Sequence, residues 1–147
     1  MNIELVKDII DYGVIGLLIF MSFLSLWFYI ERLFFFKNIN LSTYQDKQLL
    51  EIEITKNIAI ISSNASNAPY IGLLGTVFGI IITFYTMGLT SDIDVKIIMS
   101  SLALALKATA MGLIVAIPSM IFYNHLARKI EVLTALWEVE QKDKSAN

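Results

Sequence analysis

The chain has 147 residues, enough for one domain, with a formal net charge of −2 and no cysteine. Hydrophobic residues make up 56% of it and charged residues only 16%, against about 25% charged in average soluble domains. That balance excludes an ordinary soluble domain, and the lack of cysteine excludes a disulfide framework, a thiolate metal site and a lipoprotein anchor.

The charges cluster and leave three long uncharged runs. Residues Asn2 to Asp11 put Ile3, Val6, Ile9 and Ile10 at helical spacing, which predicts a short interfacial helix leading into the first run. That run, Tyr12 to Ile30, closes on Trp27, Tyr29, Glu31 and Arg32, the aromatic-then-basic order of a membrane boundary. Its flank is acidic (Glu4, Asp8, Asp11), without the basic start or small-residue cleavage site of a signal peptide, so this span is expected to stay in the membrane.

Phe34-Phe35-Phe36-Lys37 carries the helix slightly past the interface, and Asn38, Asn40 and Ser42 break it by competing for backbone hydrogen bonds. Ser42-Thr43-Tyr44-Gln45 matches a capping box and predicts that a new helix starts there. Leu50, Ile54, Ile58 and Ile61 share one face of that helix, with Asp46, Glu53 and Lys56 on exposed positions. It is expected to run almost continuously into the second span, with Ser62-Ser63-Asn64 and Pro69 as the places for a kink.

The second span, Pro69 to Gly88, has the roughly 20 apolar residues that a helix needs to cross a bilayer. Gly72, Thr76, Gly79, Thr83 and Thr86 follow spacings of 4, 3, 4 and 3, which puts them on one face. In lipid, a stripe of Gly and Thr marks where other helices approach or something polar passes. Leu89 to Lys96 reads as a short acidic connection, and the third span starts near Ile97. It has its own stripe of Ser101, Ala105, Ala108, Thr109, Gly112, Ala116 and Ser119, and Pro118 is expected to kink it. Leu126, Ile130, Leu133 and Trp137 extend the helix beyond Tyr123, with fraying expected from Gln141 to Asn147.

So short a connection makes the last two spans antiparallel neighbours. A pivot beside Asp92 brings Thr76 and Thr109 to similar depth, each on its helix's small face. A single threonine is often merely tolerated, bonding its own i−4 carbonyl. Two at matched depth, neither stripe having a partner elsewhere in the chain, argue for an oligomer around something polar. Lys107 is the only charge inside a span, where it costs about 2.5–3.5 kcal/mol. It points about 140° from its helix's stripe. Snorkelling toward the outer interface, or a contact with the first span, accounts for it better than ion transfer does. His125 reads as a boundary packer and Trp137 as a packing residue on the inner helix.

Lys and Arg concentrate in the 31–66 segment and the tail, which puts those in the cytoplasm and the N-terminus outside. The expectation is an all-α membrane protein, one domain over 1–147, with spans at about 12–33, 67–88 and 97–123 and cytoplasmic segments at about 34–66 and 124–147. No phosphate loop, metal cluster or nucleophile with a base is present, so no enzyme, cofactor or nucleic-acid partner is expected.

Asn67-Ala68-Pro69-Tyr70-Ile71-Gly72-Leu73-Leu74-Gly75-Thr76-Val77-Phe78-Gly79 resembles the signature of the MotA/TolQ/ExbB proton-channel family. Ala108-Thr109-Ala110-Met111-Gly112-Leu113 and Ala116-Ile117-Pro118, followed by Tyr123-Asn124, resemble the family's third span. The resemblance, strongest to the ExbB branch, implies a homopentamer in the bacterial inner membrane whose last two spans line a channel. It implies that an ExbD-like single-span helix in that channel carries protons on an aspartate, and that the motion energises a TonB-like protein. Thr76, Thr83 and Thr109 become the implied channel-lining residues, and Gly72, Gly79, Ala105, Gly112 and Ala116 the implied packing residues. Leu104 stands where many members have a channel glutamate, and the cytoplasmic segments are shorter than usual. A TolQ-like role in envelope maintenance is the alternative. A self-contained ion channel is disfavoured because no span contains an acidic residue.

Overall fold

The computed structural model describes residues 3–89 and 94–146, and every regular element in them is helical. Helix α1 spans Ile3–Asn38, a 3-10 turn follows at Leu41–Thr43, and α2 spans Lys47–Thr55. Helices α3 (Ile58–Leu89) and α4 (Val95–Ala146) complete the chain. Among the described residues α1, α3 and α4 are the helices long and apolar enough to cross a membrane. The pivot expected beside Asp92 lies outside the described residues, as do Asn2 and Asn147.

Two local expectations are corrected. Ser42 does not cap a helix, because Asn40 captures it first. The Asn40 Oδ1 accepts from the Ser42 amide at 3.2 Å and from its hydroxyl at 2.5 Å, which closes the 3-10 turn. Helix α2 then starts under Asp46, whose Oδ1 accepts from the Gln48 amide at 2.8 Å.

Nor does α2 run into α3. Asn57 takes a φ of 64°, a left-handed conformation that asparagine tolerates better than most residues, and the chain turns there. The positions named as places for a kink, Ser62 to Asn64 and Pro69, are helical residues within α3. Their neighbourhood's polar groups bond where they do not cut the helix. Ser66 donates to the Ser62 carbonyl at 2.9 Å, Asn67 to the Ser63 hydroxyl at 3.1 Å, and Asn64 to α1. Helix α4 likewise continues through Pro118 and on to Ala146. Its last turns are tied down by Gln141 donating to the Tyr44 carbonyl at 3.4 Å and by a Lys144–Glu140 ion pair at 2.9 Å.

The packing follows from which residues touch. Ser25 meets Ser119 and Tyr29 meets His125, so α1 and α4 run parallel. Val14 lies against Gly75 while Ser25 meets Asn64, so α3 runs opposite to α1. One apolar cluster (Leu18, Met21, Ala68, Val115, Ala116) sits where the three long helices meet. A second gathers Phe36, Leu50, Ile54, Ile58, Ile61, Leu126 and Trp137 around α2, with the Trp137 indole donating to the Tyr44 carbonyl at 2.9 Å.

Arg32 fixes the elbow between α2 and α3. It is buried, so its guanidinium must be paired. It binds the Glu31 carboxylate through two nitrogens, lies 4.4 Å over the Phe35 ring, and donates to the Glu53 carbonyl at 3.0 Å. That carbonyl belongs to the last turn of α2, where helical acceptors need partners and a cation is favoured. The Asn57 amide reaches the same Glu31 carboxylate at 3.3 Å.

Candidate functional site

Glycine at two facing positions lets α3 and α4 approach backbone to backbone. A Cβ on Gly72 would sit 2.6 Å from the Ala108 carbonyl oxygen, and one on Gly112 would sit 2.6 Å from that of Ala68. Further along, a Cβ on Gly79 would meet the Ala105 methyl at 2.8 Å, and one on Gly75 would meet Ala108 Cβ at 2.9 Å. The two small-residue stripes therefore pack on each other within one chain. This corrects the expectation that they have no partner in it. A short connection lets one helix return along the other, and small side chains let the backbones close in.

That closeness brings Thr76 and Thr109 together. Their hydroxyl oxygens lie 2.6 Å apart, and Thr76 Oγ1 donates to the Ala105 carbonyl at 2.8 Å. Besides the Thr109 oxygen, the Thr76 proton has the Ala105 carbonyl and, at 3.4 Å, its own helix's Gly72 carbonyl as acceptors, and either hydroxyl can donate in the Thr76–Thr109 bond. When Thr76 donates to Ala105, Thr109 donates to Thr76. Thr76 is 6% exposed while Thr109 is only half-buried. The Thr109 oxygen is thus the one that can be reached. Helix α4 meets α1 through Met111, Val115, Ser119, Phe122 and His125. At 100° per residue Thr109 points about 140° from the centre of that set. The pair opens on the face of the α3–α4 hairpin that α1 leaves uncovered.

Thr83 is not brought to this pair. It is buried, and its hydroxyl donates to its own helix's Gly79 carbonyl at 2.8 Å. Thr86, exposed, bonds the Ile82 carbonyl in the same way. Ala105 and Ala116 are buried between helices, and Leu104 is 53% exposed. Lys107 is exposed, and His125 Nδ1 hydrogen-bonds the Tyr29 hydroxyl at 2.7 Å.

One polar group escaped sequence reasoning. Buried Asn64 donates one amide hydrogen to the Met21 carbonyl and the other to Ser25 Oγ, both at 2.9 Å. Ser119 Oγ lies 3.0 Å from the same serine oxygen, so α1, α3 and α4 are joined at one point. Its only signal in the sequence is that Ser25 lies at helical spacing from Leu18 and Met21. Away from the apolar region, the Lys47 ammonium binds the Glu138 carboxylate. Lys47 is raised above its ordinary pKa and Glu138 lowered by that hydrogen bond. Among the described residues, no three His, Cys, Asp or Glu side chains converge as a metal site.

The profile of the MotA/TolQ/ExbB proton channel family matches residues 28–139. The chain belongs to that family. It is similar to the biopolymer transport protein ExbB of Aquifex aeolicus, 52% identical over 135 residues that cover 92% of this chain and 91% of the relative. The biopolymer transport protein ExbB of Helicobacter pylori strain J99 is 48% identical over 138 residues, covering 94% and 95%. The Tol-Pal system protein TolQ of Haemophilus influenzae is 37% identical over 84 residues, 56% of this chain and 37% of that protein. The protein is thus a multi-pass membrane subunit of the ExbB/TolQ proton-channel type, with a transport role.

Proposed function

We propose that this chain assembles as a homopentamer in the bacterial inner membrane, N-terminus periplasmic and C-terminus cytoplasmic. In this reading the whole chain is one domain with spans at about 12–33, 67–88 and 97–123. The uncovered faces of its α3–α4 hairpins surround a channel. An ExbD-like single-span helix in that channel brings the carboxyl group that moves the proton, and the resulting motion energises a TonB-like protein. The observation that carries this reading is the Thr76–Thr109 pair on the face away from α1, in spans that have no carboxylate between Tyr12 and Ile30, Asn57 and Ser91, or Ile97 and Ala127. Gly72, Gly79, Ala105, Gly112 and Ala116 hold the hairpin that presents it, and Thr83 lies on the same channel wall two turns away.

The two directions open to the Thr76–Thr109 bond give a mechanism. With Thr109 donating inward, its oxygen accepts from a protonated carboxyl. With Thr76 donating to Thr109, the Thr109 proton turns outward and holds the carboxylate, which costs the Thr76–Ala105 bond. That bond is worth about 0.5–1.5 kcal/mol, against about 2.3 kcal/mol gained per charge per 100 mV. The driving force exceeds the cost of the switch.

The test is gradient-driven nutrient uptake alongside recovery of the assembled protein. Either Thr→Val change should impair uptake, and Thr76→Val/Thr109→Val should nearly abolish it with assembly intact. Normal uptake in the double variant would show that the threonines only fill space. A TolQ-like envelope role is the second reading, favoured by the identity to TolQ. The periplasmic domain of the helix that co-purifies with the chain discriminates the two.

A further inference from the structure

Neither Lys107 nor Asp11 has an ion-pair or hydrogen-bond partner among the described residues. Lys107 is the lone charge of its span, and Asp11 closes the acidic flank of α1. We propose that these two side chains of one chain pair in the membrane, clamping the N-terminal part of α1 onto α4.

Two independent measures put them at one level. The first runs directly between the parallel helices. Ser25–Ser119 and Tyr29–His125, the observed α1–α4 hydrogen bonds, join residues 94 and 96 apart in sequence. Asp11 and Lys107 are separated as Tyr29 and His125 are, and each precedes its counterpart by 18 residues. Eighteen residues are about five full helical turns, so each also points the way its counterpart points. Tyr29 and His125 point at each other.

The second measure passes through α3. Val14 lies against Gly75, and Gly79 against Ala105. One turn from Val14 leads to Asp11, as one turn from Gly75 leads to Gly79. Asp11 is therefore level with Ala105, with Lys107 about 3 Å further along α4 at 1.5 Å per residue. Side chains on a helix lean toward its N-terminus, which for Lys107 is toward Asp11. Asp11 also continues the buried face of α1 through Leu18, Met21, Ser25 and Arg32, and is itself half-buried. In water a flexible lysine need not close on it. Within its span Lys107 has no carboxylate of its own helix to meet, and at the membrane boundary Asp11 has only Lys7, one turn earlier on α1, as another nearby cation in the sequence.

The 147 residues include no cysteine, so Asp11→Cys/Lys107→Cys in this chain carries two thiols and no others. Treated in native membranes with a short bifunctional thiol reagent, it should consume both thiols and stay at monomer mass, as Tyr29→Cys/His125→Cys should. Tyr12→Cys/Lys107→Cys, about 100° around α1, should react several-fold less. Lys107→Met and Asp11→Asn should each lower the melting midpoint in detergent by several degrees, and the exchange Asp11→Lys/Lys107→Asp should recover at least half of the loss. Cross-links that form only dimers, equal reaction of the Tyr12 variant, or an exchange variant no more stable than the worse single change would each overturn the pairing.

Discussion

At the scale of single residues, the polar groups inside the bundle divide by what their protons do. The Thr83 hydroxyl is spent on its own helix, so it adds little between helices. Thr76, Asn64 and Ser119 reach across to another helix and tie the bundle together. Asn64 is the member whose loss is simplest to read, because both its amide hydrogens are used. Hydrogen bonds between membrane helices average about 0.6 kcal/mol, so Asn64→Ala should cost about 1–2 kcal/mol in denaturant unfolding in detergent. An unchanged midpoint would mean that the three-helix junction is held by Leu18, Met21 and Val115 alone. The Asn64 pairing cannot be seen in the sequence. Asn64 reads there as part of a polar cluster that could bend a helix, because sequence spacing does not reveal a partner 39 residues away.

At the scale of elements, the α3–α4 hairpin depends on what glycine omits. Gly72 and Gly112 face each other's backbones, and a carbonyl oxygen cannot give way as the end of a flexible side chain can. Gly112→Leu should force the helices apart and cost at least the 1–3 kcal/mol typical of overpacking, with Gly112→Ala milder. The separation also breaks the 2.6 Å contact of Thr76 with Thr109. Gly112→Leu should therefore lower uptake and thermal stability together by forcing the helices apart, whereas the double Thr→Val change should lower uptake with a stability loss of only about 1 kcal/mol. Leucine without loss of stability would disprove the close approach. The elbow shows the converse, a local signal that misleads. Ser42 to Gln45 has a capping pattern, yet Asn40 outcompetes it from two residues away. The later turn at Asn57 is held by Arg32 and Glu31 from another helix.

At the scale of the whole molecule, the proposed pentamer rests on surfaces that one chain leaves open. Large apolar side chains stay exposed on both hairpin helices, among them Leu73, Phe84, Leu106 and Leu113. Lipid covers some of that surface, and the face bearing Thr109 is assigned to the channel. Native mass spectrometry in detergent should find five copies of the chain, and a stable monomer or dimer would refute the assembly. Much of the architecture was legible in the sequence. Three uncharged runs fix three membrane helices, because burying a backbone or a charge in hydrocarbon leaves few alternatives. The 3-and-4 spacing of small residues in both later spans fixed which faces meet. Tertiary structure alone decided that the stripes satisfy each other within one chain, that Thr83 stands apart from Thr76 and Thr109, and that the chain turns at Asn57 and not at Asn64. The reason is the range of the forces. Hydropathy and helical period act along the chain and can be read from it, whereas a hydrogen bond or a backbone contact depends on which distant residue arrives within about 3 Å.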